Sequence, residues 1–153
     1  MMIRFFVPGI PRPGGSKRAI PIKGGRVNVV DASKYVGDWK ATVSYFAHQT
    51  MQAGGVSLFT GPVSVHLSFR MPRPKHHYSA SRALKPSAPK YHSHQPDWLK
   101  LSRSTEDAMT GIVWRDDGQG VQATVEKLYV VEEEPPGCWV EVADVCDRIG
   151  STA

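Results

Sequence analysis

Residues 97–117 read DWLKLSRSTEDAMTGIVWRDD, and these 21 positions hold five carboxylates: Asp97, Glu106, Asp107, Asp116 and Asp117. The chain before them carries only two acids, Asp31 and Asp38, against fourteen Lys and Arg. Carboxylate oxygens are the hard ligands that Mg²⁺ prefers, and a basic surface attracts phosphate groups. The pattern therefore predicts a divalent metal held next to a polyanion.

The same stretch predicts a helix from Asp97 to about Thr110, with Gly111 as its stop signal. Its expected core stripe consists of Leu101, Thr105, Ala108 and Met109. Another face groups Lys100, Arg103 and Asp107 within about 60°. Beyond the helix, Asp116-Asp117-Gly118 has the composition of a tight turn.

Working outward, alternating and β-branched runs predict six strands. They are Ile3–Val7, Ala19–Ile22, Arg26–Val30, Val63–Met71, Val121–Val131 and Cys138–Val142. The second and third strands flank Lys23-Gly24-Gly25 and are expected to form a hairpin. A first helix near Ser33–Gln52, with N-caps offered by Asp31 to Ser33, follows from the helical spacing of Trp39, Val43, Phe46 and Ala47.

The order of these elements predicts the fold class. Helices and strands do not alternate as regular βαβ repeats, which favours α+β. We expect one domain over residues 1–153, with a small mixed sheet and two main helices. Residues 72–96 contain five prolines, four histidines and no acid, and are expected to form a long, mobile, basic loop.

Charge is distributed unevenly along the chain. The formal net charge of +5 divides into +12 for residues 1–96 and −7 for residues 97–153. This asymmetry points to contact with nucleic acid, although a solvated basic surface without a partner is an alternative. No run is apolar enough for a membrane span or a signal peptide, so we expect a cytoplasmic protein. Cys138 and Cys146 should then be free thiols.

Each acid also has a structural interpretation. Asp97 suits a helix N-terminus, and Asp107 could pair with Arg103 or Lys100 on its own helix. Asp116 and Asp117 suit a turn. Together these readings leave the clustering unexplained, because like charges packed closely cost energy unless a cation lies between them. The histidines of residues 72–96 could instead hold zinc with Asp97, but their spacing matches no tight zinc signature.

Residues 96–119 resemble a known family. PDWLKLSRSTEDAMTGIVWRDDGQ is similar to the signature of RusA-type Holliday junction resolvases, often carried by phages and prophages. The matching positions are Pro96-Asp97, Lys100-Leu101, Arg103, Asp107-Ala108-Met109, Gly111 and Asp116-Asp117-Gly118-Gln119. Met109 stands where Leu is usual. The N-terminal GIPRPGGSKRAIPIKGGRVNVVD resembles phage members, in which a basic loop and hairpin precede the first helix.

The resemblance implies a RusA-like fold and a homodimeric endonuclease that cuts branched DNA such as a four-way junction. Its cofactor would be Mg²⁺, with Mn²⁺ as an alternative ion. The implied metal ligands are Asp97, Asp107 and Asp117, with Asp116 beside them. Arg103 and Lys127 would complete the catalytic set. The arms of the junction would be bound by Lys17, Arg18, Lys23, Arg26, Arg73, Lys75 and Lys100.

Two departures from the family pattern stand out. Leu99 replaces the second Asp of the usual Asp-x-Asp, and Arg103 occupies a slot that often holds Lys. Glu106 is an extra acid that could join a rearranged metal site; it shares a helix face with position 99 but lies about 10.5 Å away along the axis. A branched-DNA-binding protein with weakened or lost cleavage is therefore the alternative function.

Two further expectations concern apolar residues. A dimer interface is expected on the strand Val63–Phe69 or on the first helix, through Trp39, Val43 and Phe46. Trp98 and Trp114 flank the acids, and core packing is the default expectation for both, with stacking on DNA bases as the alternative.

Overall fold

A computed structural model describes residues 1–15, 17–31 and 35–150. The expected cap Ser33 and the side chains of Lys17 and Arg18 lie outside what it describes. Within the described residues the elements are β1 (Met2–Pro8), β2 (Lys17–Ile22), β3 (Arg26–Asp31), α1 (Val36–Ala53), β4 (Val63–Met71), α2 (Trp98–Met109), β5 (Gly120–Tyr129) and β6 (Gly137–Asp144). This order confirms the α+β prediction.

The first helix begins later than its predicted start. Its N-cap is Tyr35, which makes no capping hydrogen bond through its side chain, and the helix runs from Val36 to Ala53. The glycine pair Gly54-Gly55 follows directly, as expected from the sequence. The spacing of the apolar residues therefore located the body of this helix, whereas its first turn had no strong signal.

Four strands form a mixed sheet in the order β1-β6-β4-β5. β4 pairs in parallel with β5, and the other pairs are antiparallel. A parallel pair needs a crossover connection, and the crossover from β4 to β5 contains α2. The sheet therefore brings α2 beside β5, which is an edge strand. β2 and β3 form a separate two-stranded ribbon.

The core lies between the sheet and the two helices. Val63, Val65, Leu67 and Phe69 line the buried face of β4, as their alternation predicted. From the helices, Trp39 and Thr105 are buried and joined by a hydrogen bond of 3.1 Å from the indole Nε1 to the hydroxyl Oγ1. Indole and hydroxyl groups need such partners when buried.

This packing contradicts both predicted dimer interfaces. Trp39 and Val43 are buried inside the chain, and Phe46 packs against the same core. β4 is paired on both edges, by β5 and β6, and its apolar face is covered. An apolar stripe shows that a face is covered, but it does not show whether the cover is the same chain or another.

Residues 72–96 have a short 3₁₀ turn at Lys75–His77 and several attachments to the body. The guanidinium of Arg73 donates to the carbonyl oxygens of Val130 and Pro89 at 2.9 and 2.7 Å. The rings of His77 and His92 each lie 4.9 Å from the ring of Tyr129. No helix in the described ranges is long and apolar enough to cross a membrane.

Candidate active site

The N-terminus of α2 is held by Asp97. This residue is the N-cap, and its Oδ1 accepts a hydrogen bond from the backbone N–H of Lys100 at 2.9 Å. An N-cap carboxylate satisfies a helical N–H that would otherwise lack a partner. The structural interpretation of Asp97 is therefore confirmed, and the helix begins where the sequence predicted.

Lys127 ties β5 to the segment that precedes α2. Its Nζ donates to the carbonyl oxygens of His94 at 2.7 Å and of Pro96 at 2.8 Å. Burial lowers the pKa of Lys127, and the nearby charge of Asp97 partly offsets that shift. Since Pro96 directly precedes Asp97, Lys127 fixes the backbone from which the Asp97 side chain extends.

Three carboxylates gather at the other end of α2. Glu106 is half-buried, and burial raises the pKa of its carboxyl; the charges of Asp107 and then Asp117 raise it further. Glu106 and Asp117 both line a cleft of about 290 Å³ that is floored by Trp114 and by residues 120–123 of β5. In the described part of the chain, neither Glu106 nor Asp117 forms an ion pair.

Asp107 has a partner that the sequence did not reveal. Its Oδ2 lies 3.6 Å from the Nζ of Lys40 on α1, whereas Lys100 and Arg103 were the predicted partners. The Lys40 side chain is partly exposed and the Asp107 side chain is exposed, so this ion pair contributes little to stability. It orients the Asp107 carboxylate toward α1, and leaves Glu106 and Asp117 as the acids of the cleft.

The Asp-Asp-Gly-Gln turn separates the roles of its two acids. Asp116 accepts the backbone N–H of Gly118 at 2.8 Å, and Gln119 accepts the N–H of Asp116 at 2.9 Å. The amide nitrogen of Gln119 then donates to the carbonyl oxygens of Phe59 and Gly61. Asp116 and Gln119 thus build the turn, which holds the exposed Asp117 at the mouth of the cleft.

The expected convergence of Asp97, Asp107 and Asp117 is not found within one chain. Asp97 and Asp107 are ten residues apart along α2, which corresponds to about 15 Å. Among the residues that the structure describes, no three His, Cys, Asp or Glu side chains are arranged to hold one metal ion. The acids instead lie at opposite ends of α2, with Asp97 alone at its N-terminus and Glu106, Asp107 and Asp117 at the other end, while Leu99 is 60% exposed.

The N-terminal loop packs directly on α2. The N–H of Gly14 donates to the carbonyl oxygen of Lys100 at 2.9 Å, and the hydroxyl of Ser104 donates to that of Arg12 at 2.6 Å. A Cβ at Gly15, which has a φ of +82°, would lie 2.7 Å from the Cδ of Arg103. These glycines let the loop approach the helix and leave Arg103 exposed between the two acidic groups.

The basic residues predicted to bind DNA fall into two groups. Lys23, Arg26, Lys75 and Lys100 are exposed. Arg73 differs from them, because its guanidinium donates to two carbonyl oxygens and lies 5.0 Å from the ring centre of Tyr129. The tryptophans also differ: Trp114 is buried as expected, but Trp98 is 51% exposed, contrary to the expectation of core packing.

The fold is a small α+β domain, and its cleft is lined by the carboxylates of Glu106 and Asp117. The sequence matches the family Endodeoxyribonuclease RusA over residues 8–143, and the chain belongs to that family. It is also 32% identical over 136 residues to "Uncharacterized protein YqaN" of Bacillus subtilis (strain 168), a match that covers 87% of this chain and 90% of that protein.

Membership of this family confirms the resemblance found in the sequence and the coarse class of activity. RusA-family proteins are endodeoxyribonucleases that act on branched DNA junctions and generally depend on a divalent metal. Sequence reasoning missed Lys40, Gly14 and Gly15 as parts of the site's surroundings. Only the glycines carried a signal, as a pair inside a basic loop; Lys40 had none.

Proposed function

We propose that this protein is a Mg²⁺-dependent, structure-selective endonuclease that resolves Holliday junctions or related branched DNA in recombination, repair or phage DNA processing. The observation that supports it best is the pair Glu106 and Asp117, which share one cleft without an ion-pair partner among the described residues. Exposed cations of the N-terminal half supply the surface that a polyanionic substrate requires.

A divalent cation fits this cleft by its chemistry. The available donors are carboxylate oxygens, which suit Mg²⁺ or Mn²⁺. Burial and then the charges of Asp107 and Asp117 raise the pKa of Glu106, and a bound cation would relieve the repulsion among these acids. We propose Glu106 and Asp117 as the residues that hold it, with Asp107 adjacent. When bound, such an ion activates water and neutralises charge on the scissile phosphate.

The remaining residues have distinct tasks in this proposal. The exposed guanidinium of Arg103 binds the phosphate next to the cleft, since its fork suits two phosphate oxygens. Lys127 positions Asp97 through the backbone of Pro96 rather than touching the substrate. Asp116 shapes the turn that presents Asp117. Lys23, Arg26, Lys75 and Lys100 contact the DNA backbone.

We also propose that the protein is a homodimer. A four-way junction has two equivalent strands to cut, and two sites related by a twofold axis match that symmetry. The interface must use a surface other than the buried faces of α1 and β4. Sedimentation at micromolar concentration tests this claim. A species with the 16.9 kDa mass of a single chain that still cleaves junctions symmetrically would overturn it.

A second candidate is a branched-DNA-binding protein that lacks cleavage. Two observations favour it: Leu99 stands at an exposed position where the family has an acid, and no three ligand side chains converge in the described residues. Under this alternative the wild type binds junctions in Mg²⁺ without cutting them. A gain of Mg²⁺-dependent cleavage in Leu99→Asp would then support loss of catalysis through this position.

The deciding experiment is a gel assay on a synthetic four-way junction, with a linear duplex of the same sequence as the matched substrate. The proposed function predicts symmetric nicks in the junction with Mg²⁺ and none with a chelator. Binding in the chelator should persist, because the basic surface does not need the metal. Equal cutting of junction and duplex would contradict structure selectivity.

A further inference from the structure

The ribbon formed by β2 and β3 stands apart from the four-stranded sheet. The two strands pair with each other from Lys17↔Asp31 to Ile22↔Arg26, and neither joins β1, β4, β5 or β6. The turn between them contains Gly24 and Gly25, both with positive φ and with open space around their Cα positions. The ribbon therefore ends in an uncovered tip.

Apolar side chains are exposed on both faces of this ribbon. Residues that are paired across an antiparallel ladder share a face, so Val27 lies with Pro21, while Ile20 and Ile22 lie on the other face. Val27 is 62% and Ile22 47% exposed. An isolated two-stranded hairpin is only marginally stable in water, and exposed apolar groups on both faces indicate a surface that a partner covers.

Charge identifies the chemistry of that partner. Residues 17–31 contain Lys17, Arg18, Lys23 and Arg26 against one acid, Asp31, which lies opposite Lys17 at the base of the ribbon. Neither Lys23 nor Arg26 forms an ion pair with any residue that the structure describes. Two copies of such a ribbon would repel each other, whereas a polyanion would be attracted to it. A polyanion that carries apolar groups between its charged edges therefore complements the ribbon better than a second copy of this chain does.

The base of the ribbon is anchored beside the candidate active site. Gly14 and Gly15, just before β2, pack on Ser104 and Arg103 of α2, and Arg103 lies one turn or less from Glu106. Six residues of strand extend about 20 Å, which corresponds to about six base pairs of duplex DNA. The ribbon can therefore reach bases close to the scissile phosphate but not distant ones.

We propose that β2 and β3 form a ribbon that enters the major groove of a duplex arm next to the cut site. The major groove admits a two-stranded ribbon, and its base edges include apolar thymine methyl groups. Lys23 and Arg26 contact the flanking phosphates, while Ile20 and Ile22, which share one face of the ribbon, contact the base edges. This inference rests on the proposed function and adds the element that selects where the junction is cut.

Three full-length variants test the proposal against the wild type on a four-way junction. Ile20→Ser with Ile22→Ser removes the apolar groups of that face, and Lys23→Ser with Arg26→Ser removes the charges. Lys85→Ser with Lys90→Ser removes two cations elsewhere and is the matched control. The readouts are affinity against salt, protection of guanine N7 from methylation, the positions of the cuts and sedimentation. Thermal melts confirm that each variant folds.

The wild type should protect guanine N7 atoms within about six base pairs of each cut. The apolar variant should bind roughly tenfold more weakly with an unchanged salt slope, since two half-exposed side chains lose their contacts. The charge variant should lower the salt slope by about two. Both should lose the protection and shift the cut positions, whereas the control should keep both.

Two results would overturn the inference. One is binding by the wild type without any N7 protection near the cuts. The other is an apolar variant that changes sedimentation but keeps protection and cut positions, which would assign the ribbon to protein contact. Failure of the proposed function is seen separately, as absence of Mg²⁺-dependent cleavage by a wild type that still protects N7.

Discussion

The two ends of α2 carry the same chemical group and use it differently. At the N-terminus, Asp97 accepts a backbone hydrogen bond and lies near Lys127, so its charge has partners within the fold. Toward the C-terminus, burial raises the pKa of the half-buried Glu106, and the charges of Asp107 and Asp117 raise it further. Partnered carboxylates stabilise a structure, whereas mutually repelling ones need a cation. The difference supports the C-terminal end as the place of metal binding.

The largest expected effect lies at that end. Asp117→Asn should lower Mg²⁺-dependent junction cleavage at least roughly 100-fold, because it removes a charged ligand in the cleft, and should leave junction affinity unchanged. Single-turnover cleavage and a binding assay in chelator measure the two quantities. Glu133→Gln, at an exposed acid in the turn before β6, is the matched control. Full cleavage by Asp117→Asn would remove the metal-site proposal.

Glu106→Gln sharpens the same comparison without an activity assay. Without metal, the change removes a charge that the carboxylates of Asp107 and Asp117 repel. The free energy of unfolding should therefore rise by up to about 1 kcal/mol, and the thermal midpoint should rise with it. Added Mg²⁺ or Mn²⁺ should stabilise the wild type and no longer stabilise the variant. An equal metal-induced shift in both proteins would contradict Glu106 as a ligand.

Lys127 links the two regions and should give the next effect. Lys127→Met keeps much of the stem but leaves the carbonyl oxygens of His94 and Pro96 without their charged donor, at a cost of about 2–3 kcal/mol. If Lys127 positions Asp97, Lys127→Arg should recover part of the stability and activity together. Lys85→Met, at an exposed lysine, controls for loss of charge. Full stability with lost cleavage would instead indicate direct contact with the substrate.

The sequence predicted most of the fold because periodicity reports burial directly. The alternation from Val63 to Phe69 and the stripe of α2 both match the observed core. The expected convergence of Asp97, Asp107 and Asp117 did not appear within one chain, although the 1.5 Å rise of a helix already separates Asp97 from Asp107 by about 15 Å. The pairing of Asp107 with Lys40 depends on how α1 packs on α2, and no local pattern encodes that.

The local sequence pattern also could not predict which of the large apolar side chains are exposed. Each of Trp98 and Trp114 has one charged and one apolar neighbour in the sequence, yet Trp98 is 51% exposed and Trp114 is buried. Trp114 lies just after the helix stop Gly111 and packs into the hydrophobic core. Its indole N–H donates to the hydroxyl of Thr110 at 3.1 Å. Trp98 occupies the first turn of α2, on the side away from the core.

Trp98→Ala should weaken junction binding by about 1–3 kcal/mol if its exposed ring stacks on a DNA base. The neighbouring Leu99→Ala, which is equally exposed but not aromatic, should change affinity much less. Fluorescence anisotropy at fixed salt measures both. Equal losses in the two variants would indicate a general apolar contact rather than stacking, and no loss in either would remove this end of α2 from the DNA surface.

Two substitutions at Asp97 distinguish its role as a helix cap from a role in DNA cleavage. Asn caps a helix about as well as Asp, so Asp97→Asn should leave stability nearly unchanged, whereas Asp97→Ala should cost about 1 kcal/mol. If the carboxylate serves only the fold, cleavage should follow stability and Asp97→Asn should remain active. Loss of cleavage in Asp97→Asn at unchanged stability would show that its charge takes part in the reaction.

The smallest expected effect concerns the histidines that hold residues 72–96 on β5. Burial lowers the pKa of both His77 and His92, and neighbouring cations lower it further. The unfolded chain therefore binds more protons than the folded chain below about pH 6.5, and stability should fall as the pH drops through that value.

The Nδ1 of His92 is buried without a partner among the described residues, so His92→Phe keeps the ring against Tyr129 and removes the titration. Thermal midpoints from pH 7.5 to 5.5 should decline less in His92→Phe than in the wild type, while His48→Gln, at an exposed histidine on α1, should follow the wild type. Glu106 shifts stability in the opposite direction at lower pH in all three proteins, so it cancels in the comparison. Identical slopes for wild type and His92→Phe would show that this contact does not sense pH.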